Sequence, residues 1–146
     1  SPARASKERW QTVSFYPEDS MNLVDYYRIR AAEIKEEDVS FVAHLMSNHI
    51  GEQNAITIRE LQKKTGFHER KVRDILQILV LEHEWLIGSH AGKAGRWIIY
   101  NEEERWHVAN ELRSREQEIK ARRWVIERAP LPAKLELSGP PQSGLF

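Results

Sequence analysis

Between Lys63 and Arg73 the chain carries five basic side chains, Lys63, Lys64, Arg70, Lys71 and Arg73, against a single acidic one, Glu69. The whole chain is balanced, with 22 Lys and Arg against 22 Asp and Glu, so this is a local excess on a neutral protein. Arg70, Arg73, Asp74 and Gln77 recur at helical spacings of three and four, with His68 and Lys71 beside them at the start of the run. On a helix, Arg can pair bidentately with a guanine edge and Gln with adenine. A second basic group lies at the flexible stretch Gly92 to Gly95, with Lys93 inside it and His90 and Arg96 at its shoulders. Phosphate is the ligand such a tip suits, along a nucleic-acid backbone or in a narrow minor groove. Charge localised in this way is the footprint expected of a nucleic-acid face. The bland alternative is a solvated helix surface.

Other chemistries find little support. The six histidines (His44, His49, His68, His83, His90, His107) show no His-Glu-x-x-His spacing. His44 and His49, five apart, do not share a helix face well. There is no phosphate-cradling glycine loop, no Gly-x-Ser-x-Gly elbow and no pair of carboxylates in an apolar setting. With no cysteine, disulfides and Cys-based zinc sites are excluded. The expectation is a protein that is not an enzyme and needs neither metal nor cofactor.

Local signals place the basic run on a pair of helices. Thr57-Ile58-Arg59-Glu60 is a capping box, in which the Thr57 hydroxyl and the Glu60 carboxylate satisfy each other's backbone N–H groups. Ile58 and Leu61 give that helix an apolar face, and Thr65-Gly66 stops it, since Gly66 takes the left-handed conformation at no steric cost. Val72, Ile75, Leu76 and Leu79 then form an i, i+3, i+4, i+7 stripe, which predicts a second helix around Glu69–His83 with its apolar side inward. Trp85-Leu86-Ile87 and Trp97-Ile98-Ile99-Tyr100 are β-prone and joined by 91–95, a hairpin signal, with Ala55-Ile56 available as a third strand. Trp85 and Trp97 are expected to pack this hairpin onto the helices.

Upstream, Glu36-Glu37-Asp38 is an acid-rich helix start, followed by the stripe Val39, Val42, Leu45, Met46, with Gly51 as its stop. Further upstream a helix is expected from Asp19 or Ser20, with Met21, Val24, Tyr27, Ala31 and Ile34 on one face. That face either packs on its own domain or dimerises. Downstream, Asn101 and Glu102-Glu103-Glu104 open a long helix running to Ala129, before Pro130. Trp106, Ala109, Leu112, Ile119 and Ile126 mark a seam along it, interrupted by Glu116 and Arg123. This helix is the expected cover for Ile78, Val80 and Leu81, whose faces the helix pair does not use. Whether the seam's neighbour is the same chain or a second copy stays open.

Glu60-Leu61, Thr65-Gly66-Phe67, Val72-Arg73, Ile75-Leu76, Leu79 and Leu86-Ile87 together resemble the winged helix-turn-helix of bacterial and phage DNA-binding proteins. His68 stands where such domains usually place a better N-cap, and Trp85 where a Gly usually precedes the Leu-Ile pair. The resemblance implies a winged helix-turn-helix over 38–101; with the readings above, the chain is expected to be mainly α with a small β-hairpin, with an arm and helix over 1–37, a long helix over 102–129 and a flexible tail over 130–146. It implies double-stranded DNA as partner. Lys63, Lys64, His68, Arg70, Lys71, Arg73, Asp74 and Gln77 lie at the helix pair, and Lys93 and Arg96 at the wing.

The last residues add a second resemblance. Gln142-Ser143-Gly144-Leu145-Phe146 is similar to the short peptide by which bacterial replication proteins bind the sliding clamp. Gln142 would be the polar anchor, and Leu145 and Phe146 the apolar ones. No apolar run reaches the length of a membrane span, and Ser1-Pro2-Ala3-Arg4 has no signal-peptide core. The expected location is a bacterial cytoplasm or nucleoid, and the resemblances imply a setting in phage or plasmid replication or transcription regulation. The alternative is a protein-interaction adaptor of that machinery.

Overall fold

The computed structural model describes residues 21–132. They form five α-helices and a small antiparallel sheet of three strands. In chain order these are α1 (Leu23–Ala32), α2 (Glu37–Met46), a 3-10 turn (Glu52–Asn54), β1 (Ile56–Thr57), α3 (Ile58–Thr65), α4 (Glu69–Leu81), β2 (Ile87–Gly88), β3 (Gly95–Ile98) and α5 (Glu102–Arg128). The chain divides into two compact units, one ending at Ala109 and the other beginning at Asn110, so α5 starts in the first and continues through the second.

The helix ends follow from single side chains. Asn22 caps α1 by accepting from the Asp25 N–H at 2.9 Å, so this helix begins at Leu23 rather than at Asp19 or Ser20. The α3 capping box is complete: Thr57 Oγ1 accepts from Glu60 N–H at 3.0 Å, and Glu60 Oε1 accepts from Thr57 N–H at 3.1 Å. Gly66 ends α3 at φ 79°, the left-handed conformation the sequence requires there. His68 opens α4 without a side-chain cap. Asn101 Oδ1 accepts from Glu104 N–H at 2.8 Å and starts α5. The stop expected at Gly51 is different: α2 ends at Ser47, and Gly51, at φ 87°, turns the chain into the 3-10 turn instead.

One core joins α1 to α4 and the sheet. Val72, Ile75, Leu76 and Leu79 of α4 are buried with Val39, Val42, Ala43 and Met46 of α2 and with Ile58 and Leu61 of α3. Tyr27, Ala31 and Ile34 belong to the same cluster, so the face expected either to pack on its own domain or to dimerise packs on this core. Trp85 lies against Tyr27 at 4.8 Å between ring centroids, and the Arg30 guanidinium stacks over Tyr26, Tyr27 and Trp85 while donating to the His83 carbonyl. Burial pushes the Tyr27 phenol up to about 12, an effect that Arg30 opposes by favouring the phenolate. Trp85 thus fastens α1 to the chain entering the hairpin, the packing role expected of it.

The sheet order is β1-β3-β2, with Ile56 opposite Arg96, and Ile87 opposite Ile98. The third strand is present, one residue later than Ala55-Ile56. Residues 49–51 also pair with β3: Ile98 N–H donates to the His49 carbonyl at 2.7 Å, and Gly51 N–H to the Ile98 carbonyl at 2.8 Å. Trp97, Ile99 and Val108 form a second, smaller cluster on the sheet, and Gly88 is where the Trp97 ring comes closest. A Cβ at Gly88 would lie 2.9 Å from that ring and 3.0 Å from Val108, so only glycine fits this strand position. Among the described residues no helix is long and apolar enough to cross a membrane.

One expectation about α5 needs correction, that it covers Val80 and Leu81. Its first turns face the sheet through Val108, which is buried, whereas Trp106 of the expected seam is 60% exposed. Ile78 packs on the main core, but Val80 and Leu81 stay exposed rather than covered by the long helix. The reason is angular: Val108 lies about 200° around the helix from Trp106, at roughly 100° per residue. A seam drawn through Trp106 therefore faces away from the sheet.

Candidate nucleic-acid interface

The α3–α4 pair holds its basic residues outward because every apolar residue of both helices' stripes points inward. Lys63 and Lys64 occupy the last turn of α3, where cations are favoured by the helix dipole. Thr65 Oγ1 then donates to the Leu61 carbonyl at 2.7 Å and accepts from Phe67 N–H at 3.1 Å, which shapes the turn into α4. Phe67 packs on the core and meets Phe41 edge-on at 6.2 Å. With that turn set, His68, Arg70, Lys71, Arg73, Asp74 and Gln77 all come out exposed.

The exposed residues are not equivalent. Lys71 is turned back onto the domain: its ammonium lies 2.6 Å from Asp38 at the start of α2 and 4.2 Å from the centre of the Phe67 ring. Arg73 pairs with Glu69 one turn earlier at 3.0 Å. Both members of that pair are about half exposed, and such a pair contributes only about 0.3–0.5 kcal/mol, so phosphate can displace it readily. Lys63, Lys64 and Arg70 make no ion pair among the described residues. The Lys71–Asp38 pair is as exposed as the Arg73–Glu69 pair, so what sets Lys71 apart from Lys63, Lys64, Arg70, Arg73, Lys93 and Arg59 is its added contact with the Phe67 ring.

The hairpin carries the second group. Lys93 is exposed at the tip, beside Gly92 at φ 77°. Arg96 is half-buried and folds along its own strand, donating to the Gly95 carbonyl at 3.0 Å and reaching the Lys93 carbonyl at 3.5 Å. His90 is drawn to the opposite side, where its Nε2 sits 2.7 Å from Glu52 and its ring lies 5.2 Å from Trp97. Trp97 is buried, in keeping with packing rather than base stacking.

One residue escaped the sequence reading. Ile58 N–H donates to the Ala94 carbonyl at 3.2 Å, which brings the first turn of α3 beside the hairpin tip. Arg59, the next residue, is exposed there and makes no ion pair among the described residues. Its only signal in the sequence was a basic residue inside the capping box, and the pairing of Thr57 with Gly95 is what gives that signal a location.

Among the described residues no group of acidic, histidine or cysteine side chains could hold a metal ion. Gln142, Leu145 and Phe146 lie outside the described residues, as do Trp10, Phe15 and Tyr16 of the amino-terminal arm. No family model, no curated protein and no solved structure matches this chain.

Proposed function

We propose that this chain binds double-stranded DNA as a winged helix-turn-helix, with the exposed side of α4 in the major groove and the β2–β3 hairpin as the wing along the backbone. The observation that carries the reading is the set of exposed cations on one helix pair and the adjoining hairpin tip of a neutral chain. Arg70 and Gln77, two turns apart on α4, are the residues suited to base edges. Arg73 joins them once phosphate or guanine replaces Glu69. Lys63, Lys64, Lys93 and Arg59 are suited to phosphate, which positions a protein without reading sequence. The element order supports the reading: a capped helix, a Gly turn, an amphipathic helix and a short hairpin. A setting in phage or plasmid replication or in transcription regulation follows from the resemblance and from the terminal Gln142-Leu145-Phe146 pattern, a candidate ligand for a sliding clamp.

Selection from random duplexes, followed by anisotropy titrations over a range of salt, tests this directly. Affinity should fall steeply as salt rises, because each neutralised phosphate releases counterions. Replacing Arg70 and Arg73 with Ala should cost about 1–3 kcal/mol per lost base contact on the selected site, with the fold intact. Unchanged affinity at physiological salt would remove α4 from the groove. A second reading, a protein-interaction adaptor, is favoured by Phe41, Val80 and Leu81, which are 42%, 38% and 69% exposed. An adaptor shows no salt-steep duplex binding.

A further inference from the structure

The part of α5 within the second unit carries an apolar row that no described residue of that unit covers. Leu112, Ile119 and Ile126 recur every seven residues and are 54%, 63% and 78% exposed. Between them, at alternating steps of four and three, stand Glu116 and Arg123. A row alternating four and three has the 3.5-residue period that lets two helices stay in contact along their length. A shallow groove lies on this same row, lined by Ile119, Arg122, Arg123 and Ile126. Those four residues stand at i, i+3, i+4 and i+7, the outline of a hole that receives one side chain from a facing helix.

We infer that this groove receives Ile119 from a second copy of the chain, with the two α5 helices antiparallel. The charges on the row choose both the occupant and the direction. In a parallel pair, Glu116 meets Glu116 and Arg123 meets Arg123, two layers of like charge in an apolar seam. Antiparallel, with Ile119 of each copy seated in the groove of the other, Glu116 of one copy comes within one turn of Arg123 of the other, on both sides of the two-fold axis. Arg123 is already turned toward acidic company, 3.7 Å from Glu127 on its own helix. The same register brings Arg113 of one copy near Glu127 of the other. Lys120 and Arg122, close to the axis on its two sides, each face their own copy, which keeps the association modest. Polar residues inside such a seam set register and orientation at some cost in stability. This pairing does not depend on DNA binding and is tested without DNA.

Sedimentation equilibrium of the full chain, up to about 100 µM, reads the association. Wild type should dimerise. Glu116→Arg should weaken the dimer about tenfold or more, because it sets like charges together in the seam. Adding Arg123→Glu to that variant should restore it, since the swapped pair is again complementary. All three keep exposed residues exposed, and circular dichroism verifies their helix content. Direction is read from nitroxide labels on Ser114→Cys and Ala121→Cys, exposed positions seven apart in a chain with no cysteine of its own. In the antiparallel pair, position 121 lies at the two-fold axis, and 114 is offset from its own copy by about 21 Å along the helix, from a rise of 1.5 Å per residue. The label distance should therefore be clearly longer at 114 than at 121. A monomer at the highest concentration, a dimer indifferent to Glu116→Arg, or equal distances at the two labels would each overturn the inference.

Discussion

Two helices of this protein carry stripes of nearly the same composition and reach opposite ends. In α4, Val72, Ile75, Leu76 and Leu79 are between 0% and 5% exposed. In α5, Leu112, Ile119 and Ile126 are each more than half exposed. Both sit in well-formed helices, though Glu116 and Arg123 stand within the α5 row and no charge stands within the α4 stripe. The difference is that α4 meets three neighbours, α2, α3 and α1 through its core, whereas the described residues of the second unit offer the α5 row none. Periodicity tells which side of a helix is apolar. It says nothing of what will cover that side, because the cover comes from residues far away in sequence or from another molecule.

The sharpest way to test that contrast is to remove the same side chain from each row. Leu79→Ala should cost about 2–5 kcal/mol of stability, as it opens a cavity in a core that cannot fully collapse around it. Leu112→Ala should change stability by less than about 0.5 kcal/mol in dilute solution, where the row is open to water. Chemical denaturation of both variants at low concentration decides. A comparable loss in both would mean that the α5 row is as covered as the α4 stripe, and the comparison breaks.

A second change asks how tightly the hairpin is built onto the first unit. Gly88→Ala places a methyl group against the Trp97 ring and Val108, and overpacking of this kind costs about 1–3 kcal/mol. The loss should appear as a lower thermal midpoint, with Trp97 fluorescence shifted to the red as its ring leaves the cluster. An unshifted midpoint would mean the hairpin moves aside freely, and a wing that loose could not hold Lys93 and Arg59 in a common place.

Smaller effects separate the cations. Lys93→Ala and Arg59→Ala should each lower affinity about equally for selected and unrelated duplexes, and reduce the slope of log affinity against log salt by about 1. Lys71→Ala should leave duplex binding nearly as it was, because its ammonium is held by Asp38 and Phe67. Loss of binding in Lys71→Ala alone would reverse the division of labour drawn above.

The smallest expected effect is a pH dependence at the start of α3. Hydrogen bonds from the Thr57 backbone and hydroxyl hold the Glu60 carboxyl below its ordinary range. A carboxylate depressed on folding adds stability that is present above its unfolded value and lost as pH falls through the folded one. Wild type should therefore lose a little more stability than Glu60→Gln as the pH drops below the carboxylate range. Parallel curves for the two would show that the box contributes no pH-linked stability.

The sequence by itself determined the elements whose causes are local. The capping box at Thr57, the left-handed Gly66, the stripe of α4 and the Asn101 start of α5 are each decided by residues within about two turns of one another. So was the exposure of Arg70 and Gln77, once the opposite side of their helix was apolar. Tertiary structure decided whatever required distant partners. It drew Lys71 to Asp38 and out of the basic set, placed Arg59 beside the hairpin tip through the Ile58–Ala94 hydrogen bond, and tied the first helix into the core through Tyr27 and Trp85. It also turned Val108 rather than Trp106 toward the sheet, and left Val80 and Leu81 uncovered. The physical reason is common to all of these. A hydrogen bond or cap inside one helix needs only its own neighbours, whereas the fate of an exposed charge or an apolar face depends on which remote surface the chain brings against it.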